Sequence, residues 1–439
     1  MLKNIKNSIQ LNVFQCFILK LIGCLLIIFF ITNCAQLKQI RSSDALANAV
    51  NLKNSLHHSG FLMVDLKQND TLYAYNNNRF FIPASTIKLF TLYTALRCLS
   101  DTLPALKYHQ DNRKLIAIPV GDPTWLHPHF KNKKPLEFLE QFDSIFLYTD
   151  NYYDEKLGLG WAWEDYPYYF SPERSSLPLY GNVLSIKMGD SLKVKPAHFF
   201  NQVNFNASKS GREWGDNRFY IAVLEKDSLQ IPYITSKELT RTLLSKAISK
   251  PIIILDSIPK NNWNILPSIS RDSVLKRMLQ KSDNFLAEQL MLLCASTISD
   301  SLSFKRVKDF IINDYLNTIA QKPRWVDGSG LSRYNLFTPK SMVYLLGKLH
   351  SETDSIRLFS LLPKWNQNGT IPESDEAFDD AFIFAKSGSM SNVYNLCGFL
   401  KTKSGRLFAF SFMNNHFRKP SREIRQHIFH TLQSVHDAY

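Results

Sequence analysis

Pro83-Ala84-Ser85-Thr86-Ile87-Lys88 is the stretch from which the fold is read. A proline precedes a run in which Leu89, Phe90, Leu92, Ala95 and Leu96 recur at helical spacing, so a helix is predicted to open here. Residues three apart share a helix face, which lets the Ser85 hydroxyl and the Lys88 amine meet. That end of a helix also offers free backbone N–H groups and the positive end of its dipole to a developing oxyanion. A serine hydroxyl is a poor nucleophile until a base takes its proton. A lysine whose pKa is lowered by burial or a nearby cation can be that base. Taken alone the spacing is weak, because an N-capping serine beside a surface lysine gives the same tetrapeptide.

Working outward, Gly60 to Leu66, a turn at Lys67-Gln68-Asn69-Asp70 and Thr71 to Tyr75 read as a β-hairpin. A helix is expected before it, between residues 35 and 59. Residues 101 to 265 read as an inserted, strand-rich segment in which short β-like runs, such as Lys114 to Val120 and Val183 to Ile186, alternate with turn residues. From Ser270 the pattern is helical, and Thr338-Pro339 opens a further helix. Phe382 to Ala385, Leu396 to Leu400 and Leu407 to Met413 read as strands, and residues 421 to 435 as an amphipathic helix. The two ends of the chain are therefore expected to share one sheet, with the helical middle beside it, in a mixed α/β (α+β) arrangement.

Two more short motifs follow. In Ser282-Asp283-Asn284 a hydroxyl can relay a proton to a leaving amine, and an amide can hold a substrate carbonyl and a lysine together. The same residues also read as a helix cap. In Lys386-Ser387-Gly388, at the end of an expected strand, a cation and a hydroxyl can grip a carboxylate, and glycine lets substrate backbone approach the strand edge; a plain turn is the alternative.

The order Ser-x-x-Lys, Ser-x-Asn, Lys-Ser/Thr-Gly is that of β-lactamases and penicillin-binding proteins. Further stretches, Gly121-Asp122-Pro123-Thr124, Gly160-Trp161-Ala162-Trp163, Asp327-Gly328-Ser329-Gly330-Leu331-Ser332-Arg333-Tyr334-Asn335 and Gly369-Thr370, narrow the match. From about residue 40 to the end, the chain resembles the D-Ala-D-Ala carboxypeptidase/endopeptidase family of low-molecular-mass penicillin-binding proteins, in its long-insert branch. The resemblance implies a penicillin-binding, serine β-lactamase-like transpeptidase domain, residues 41–100 plus 266–439, with an antiparallel sheet flanked by helices and the insert at 101–265. It implies an acyl-enzyme on Ser85, with Lys88 as base and Ser282 as proton relay. Asn284, Lys386, Ser387, Gly388, Ser389 and Arg333 are the implied substrate-binding residues, with the N–H groups of Ser85 and Ser389 as oxyanion hole. Arg333 reads equally well as a structural ion-pair partner. Asp150 or Asp154 is a candidate for contact with a stem-peptide amino group. No cofactor or metal is implied; the implied partners are peptidoglycan stem peptides and β-lactams as covalent inhibitors. Ser387 replaces the family's usual threonine but keeps a hydroxyl, and the insert looks shorter than usual. A serine β-lactamase or esterase and an inactive cell-wall-binding lipoprotein are the alternatives.

At the other end, Lys3, Lys6 and Lys20 precede an apolar run from Leu21 to Thr32. Its length suits the core of a signal peptide better than a membrane span. Ile31-Thr32-Asn33-Cys34 resembles a lipobox, which implies a signal peptide over 1–33, acylation of Cys34, a tether over 34–40 and an extracytoplasmic, periplasmic enzyme held to a bacterial membrane. An uncleaved anchor is the other reading. The net charge of +14 has no concentrated stripe, its densest cluster being Lys131, Lys133 and Lys134, so nucleic-acid binding is set aside. Cys98, Cys294 and Cys397 lie in apolar surroundings and read as buried small hydrophobes.

Overall fold

The fold was taken from a computed structural model, which describes residues 57–206, 210–222, 228–365 and 381–439. Cys34, Gly369-Thr370 and nearly all of the helix expected before the hairpin lie outside them. Strands β1 (His58–Asp65) and β2 (Thr71–Tyr75) form the hairpin. A turn of 3-10 helix, Ala84–Ile87, leads into α1 (Lys88–Cys98).

The next part builds three small sheets. β3 (Thr102–Asp111), β4 (Lys114–Pro119), β5 (Ser144–Leu147), β12 (Ile252–Ile254) and β13 (Asn264–Ser270) make one, in the order β12-β5-β4-β3-β13. β4, β5 and β12 run parallel there. Parallel neighbours need crossovers, and α2 (Lys134–Leu139) and α3 (Lys237–Ile248) lie on them. β6 (Val183–Lys187), β7 (Lys193–Lys195) and β11 (Ser228–Pro232) form a second sheet. β8 (Val203–Asn206), β9 (Gly211–Arg212) and β10 (Phe219–Ala222) form the third. The strand-rich expectation leaves out α3, which is started by Ser236, whose side chain accepts from the Leu239 N–H, and which buries Leu243, Leu244 and Ile248. β13 pairs with β3 and runs past residue 265 to Ser270.

Then come α4 (Arg271–Gln280), α5 (Asn284–Ile298), α6 (Phe304–Phe310), α7 (Pro339–Glu352) and α8 (Ser355–Leu361). β14 (Ile383–Met390), β15 (Val393–Lys401), β16 (Leu407–Asn415) and α9 (Ser421–Ala438) complete the chain. The two ends do share one antiparallel sheet, ordered β14-β15-β16-β1-β2. Alternation along β1 sends Phe61 and Met63 to the face covered by α9, where they join Ile424, Ile428 and Leu432. Leu62 joins the opposite core, with α1, α4, α5 and α7. Residues Phe285 to Ser296 of α5 are all buried, the mark of a helix surrounded by protein. Cys98, Cys294 and Cys397 are free thiols.

Candidate active site

The turn that carries Ser85 sits between the sheet and the helical core. Ala84 adopts φ +47°, a left-handed conformation costly for a residue with a Cβ. Several contacts hold it. The Asn395 Nδ2 donates to the carbonyls of Ile82 and Pro83, both at 2.9 Å. The Ile82 N–H donates to Asn415 Oδ1 at 2.7 Å. Two glycines then allow backbone to touch backbone. A Cβ on Gly330 would lie 2.1 Å from the Ala84 carbonyl oxygen, and one on Gly388 would lie 2.5 Å from that of Pro83. Neither atom can move aside without moving Ser85, so only glycine fits.

Lys88 is completely buried beneath Ser85. Its Nζ lies 2.9 Å from Ser85 Oγ, 2.7 Å from Asn284 Oδ1 and 2.6 Å from the Ser329 carbonyl. The Asn284 amide is oriented by its Nδ2, which donates to the Phe170 carbonyl at 3.0 Å. Two of the three partners of Lys88 can therefore only accept. A neutral amine gives its two N–H bonds to them, and its lone pair then faces the Ser85 hydroxyl. Burial pushes the Lys88 pKa down to about 8, against the pull of Asp327, Glu288 and Asp283. Lys386, also fully buried, is held well below its ordinary value by burial and by the charge of Lys88; its Nζ donates to the Ser387 carbonyl at 2.8 Å.

A second tier, unassigned in the sequence reading, fixes these groups. The Ser329 N–H donates to Glu288 Oε1 at 2.8 Å, while its carbonyl serves Lys88. Glu288 pairs with buried Arg174 at 3.3 Å, and burial beside Asp327 raises its carboxyl to about 7. Asp327 accepts from the N–H groups of Gly330 and Ser332, from Asn335 Nδ2 and from Trp161 Nε1, at 2.6 to 2.9 Å. The Asp-Gly-Ser-Gly run carried a signal for this, since an aspartate opening a turn commonly caps its own backbone.

An open cleft of about 880 Å³ runs over the site, lined by Ser85, Ser282, Asn284, Ser389, Asp165 and Arg333 among others. Ser282 has φ +54°, and Asp283 rather than Ser282 caps α5, accepting from the Leu286 N–H at 3.1 Å. β14 is an edge strand, whose first half is covered at Ala385 by Pro363; farther along, Ser389 and Met390 face the cleft. Ser387 is 6% exposed and Gly388 is packed on the turn that carries Ser85. Arg333 is exposed on the wall, near enough to Asp165 to lower its carboxyl, which burial and Glu164 raise. Asp150 and Asp154 are elsewhere. Asp150 pairs with Lys237, and Asp154 accepts from Ser303 Oγ and the Phe304 N–H at the start of α6; among the described residues of 101–265, the carboxylate lining the cleft is that of Asp165. Buried His127 also lines it, kept neutral by burial beside Arg277, with its pKa at about 3; no sequence motif marked it.

The model of the D-Ala-D-Ala carboxypeptidase 3 (S13) family matches residues 43–212 and 253–435. D-alanyl-D-alanine carboxypeptidase DacB of Haemophilus influenzae is 25% identical over 413 residues, covering 81% of this chain and 85% of that protein. A carboxypeptidase of Mycobacterium tuberculosis is 31% identical over 151 residues, 32% of each chain. The crystal structure of penicillin binding protein 4 (dacB) from H. influenzae superposes with a TM-score of 0.72 at 21% identity, over 90% of this chain and 99% of that one. At that identity the likeness is one of fold: the mixed α/β arrangement read from the sequence.

Proposed function

This chain belongs to the D-Ala-D-Ala carboxypeptidase 3 (S13) family, and from that premise we propose how its own residues carry out serine-type D-Ala-D-Ala carboxypeptidase chemistry on peptidoglycan stem peptides. Ser85 Oγ attacks the carbonyl carbon between the two D-alanines, and its proton passes to Lys88 Nζ. The N–H groups of Ser85 and Ser389 receive the negative charge that develops on the carbonyl oxygen. Ser282 relays the proton to the departing amine, Asn284 uses its remaining N–H on the substrate amide, and Ser387 takes the terminal carboxylate. Buried Lys386 biases the field at Lys88 and Ser387. Arg333 and Asp165 are a cation and an anion available to the stem peptide on the cleft wall. Water then attacks the ester, with Lys88 again as base. A cross-link amine can leave in place of D-alanine by the same steps. β-Lactams acylate Ser85 and stay.

The observation that supports this reading best is the set of three contacts at Lys88 Nζ, in which only Ser85 can be a donor. Residues 1–33 are proposed as a signal peptide and Cys34 as a lipid-anchored first residue on the periplasmic side. Among the described residues no helix is long and apolar enough to cross a membrane.

The test is release of D-alanine from a pentapeptide ending in D-Ala-D-Ala. The wild type should release it and Ser85→Ala should not. Equal release by both would remove Ser85 from the mechanism.

A further inference from the structure

Beside the cleft stands a ridge of exposed aromatic rings that the chemistry above does not use. Trp163 is 74% exposed and Trp214 57%. Their rings lie edge to face with centroids 6.4 Å apart, and Tyr166 packs on Trp214 at 4.6 Å. Large apolar side chains clustered in water are uncommon and mark interaction sites.

The ridge is held in place. The Tyr166 hydroxyl donates to the Arg212 carbonyl at 3.1 Å, and the Arg212 guanidinium lies under the Tyr166 ring, with its Nε on the Pro232 carbonyl at 2.9 Å. The segment that carries Trp163 is tied to the catalytic centre at both ends. Trp161 Nε1 donates to Asp327 at 2.9 Å, and the Phe170 carbonyl accepts from Asn284 at 3.0 Å. Between those anchors Asp165 lines the cleft itself. A substrate lying in the cleft and a polymer lying on the ridge would therefore be in fixed register.

The charge around the ridge selects its occupant. Stretches 159–170 and 211–218 hold Glu164, Asp165, Glu213 and Asp216 against Arg212 and Arg218. Arg212 is buried and occupied by carbonyls, and Arg218 is paired with Asp216 at 2.8 Å. Asp216 is neutralised in that same pair and Arg333 stands beside Asp165, so the border is close to neutral, with Glu164 and Glu213 as its remaining carboxylates, on a protein of net charge +14. An anionic membrane surface calls for Lys and Arg. Aromatic faces bordered by carboxylates suit a chain of uncharged rings rich in hydroxyls, whose C–H faces pack on the indoles and whose O–H groups donate to the acids.

We propose that Trp163 and Trp214 form a platform on which the sugar rings of the glycan strand stack while its attached stem peptide occupies the cleft. This rests on the peptidoglycan reading above, and it makes the two tryptophans positioning residues.

The test is the double variant Trp163→Ala/Trp214→Ala in the full chain. Two substrates are compared: the free pentapeptide and purified peptidoglycan with its stem peptides attached. Both side chains are on the surface, and an unchanged thermal midpoint checks the fold. kcat/KM on the free pentapeptide should be unchanged and kcat/KM on peptidoglycan should fall about tenfold. The wild type should also co-sediment with insoluble chitin, an uncharged glycan of N-acetylglucosamine rings, and the variant should not. Equal losses on both substrates, or none on either, overturn the platform. So does a variant that keeps glycan binding but loses binding to phosphatidylglycerol vesicles, which would make the ridge a membrane contact. A wild type that binds bare glycan through these tryptophans yet leaves the free pentapeptide intact would retain the platform and remove the carboxypeptidase mechanism instead.

Discussion

The two walls of the cleft are held by different means. On the core wall, Gly330 and Gly388 bring neighbouring chain segments against the backbone of Pro83 to Ser85, and Asn395 ties the carbonyls of Ile82 and Pro83 to the sheet. On the insert wall, a few hydrogen bonds do the holding: Trp161 Nε1 to Asp327, Ser332 Oγ to the Leu159 carbonyl and the Arg333 N–H to the Gly160 carbonyl. Backbone packing leaves no freedom, because backbone cannot rotate out of the way, whereas one lost side-chain hydrogen bond can be replaced by water. The core wall therefore fixes the reacting atoms and the insert wall shapes what reaches them. Substitutions on the two walls should separate accordingly.

The largest separation is expected at Lys88. Lys88→Met, which removes the base and keeps the bulk, should lower the rate of penicillin acylation by about a thousandfold. The rate is read by mass spectrometry of the intact protein. An effect below tenfold would place the base elsewhere. Next come the glycines. Gly330→Ala forces a Cβ onto the Ala84 carbonyl at a φ of +89°, and a displacement of the nucleophile on that scale should cost about a hundredfold in kcat. A normal kcat for this variant would show that the core wall yields like the other. Trp161→Phe removes one hydrogen bond from the insert wall and should cost about 1 kcal/mol, roughly fivefold in kcat/KM, mostly through KM. The smallest effect on activity is expected at Asp122, deep in the insert. Its carboxyl is buried, accepts from Ser268 Oγ at 2.6 Å and from the Thr124 N–H at 3.0 Å, and is raised to about 6 by burial. Asp122→Ala should lower stability by about 1–3 kcal/mol in urea unfolding while kcat per folded molecule is kept. A large fall in kcat there would join the two walls into one functional unit.

The same contrast explains what could be read from the sequence. Ser85, Lys88, Ser282 and Asn284 lie in short runs whose spacing carries their geometry, and the hairpin, the final strands and α9 follow from local periodicity. The roles of Glu288, Arg174 and Asn395 depend on partners far along the chain: Arg174 and Glu288 are 114 residues apart. No local pattern encodes such a pairing. In the insert, α3 does carry a local signal, the capping Ser236 with Leu239, Leu243, Leu244 and Ile248 on one face, although strands and turns dominate the surrounding composition; which carboxylate faces the cleft, Asp165 and not Asp150 or Asp154, only the folded loop reveals. Trp163 was legible as part of a motif, but its exposure was not.

The central claim is that neutral Lys88 activates Ser85, and the pH dependence of covalent penicillin labelling tests it most directly. Lys88 has a pKa of about 8 in the folded protein, lowered by burial, so protonation removes the base as pH falls. The acylation rate, followed by intact mass from pH 5.5 to 9.5, should rise about tenfold per unit below pH 8 and level off above it. Ser85→Ala should stay unlabelled throughout. A rate independent of pH across that range, or label on Ser85→Ala, would contradict the account.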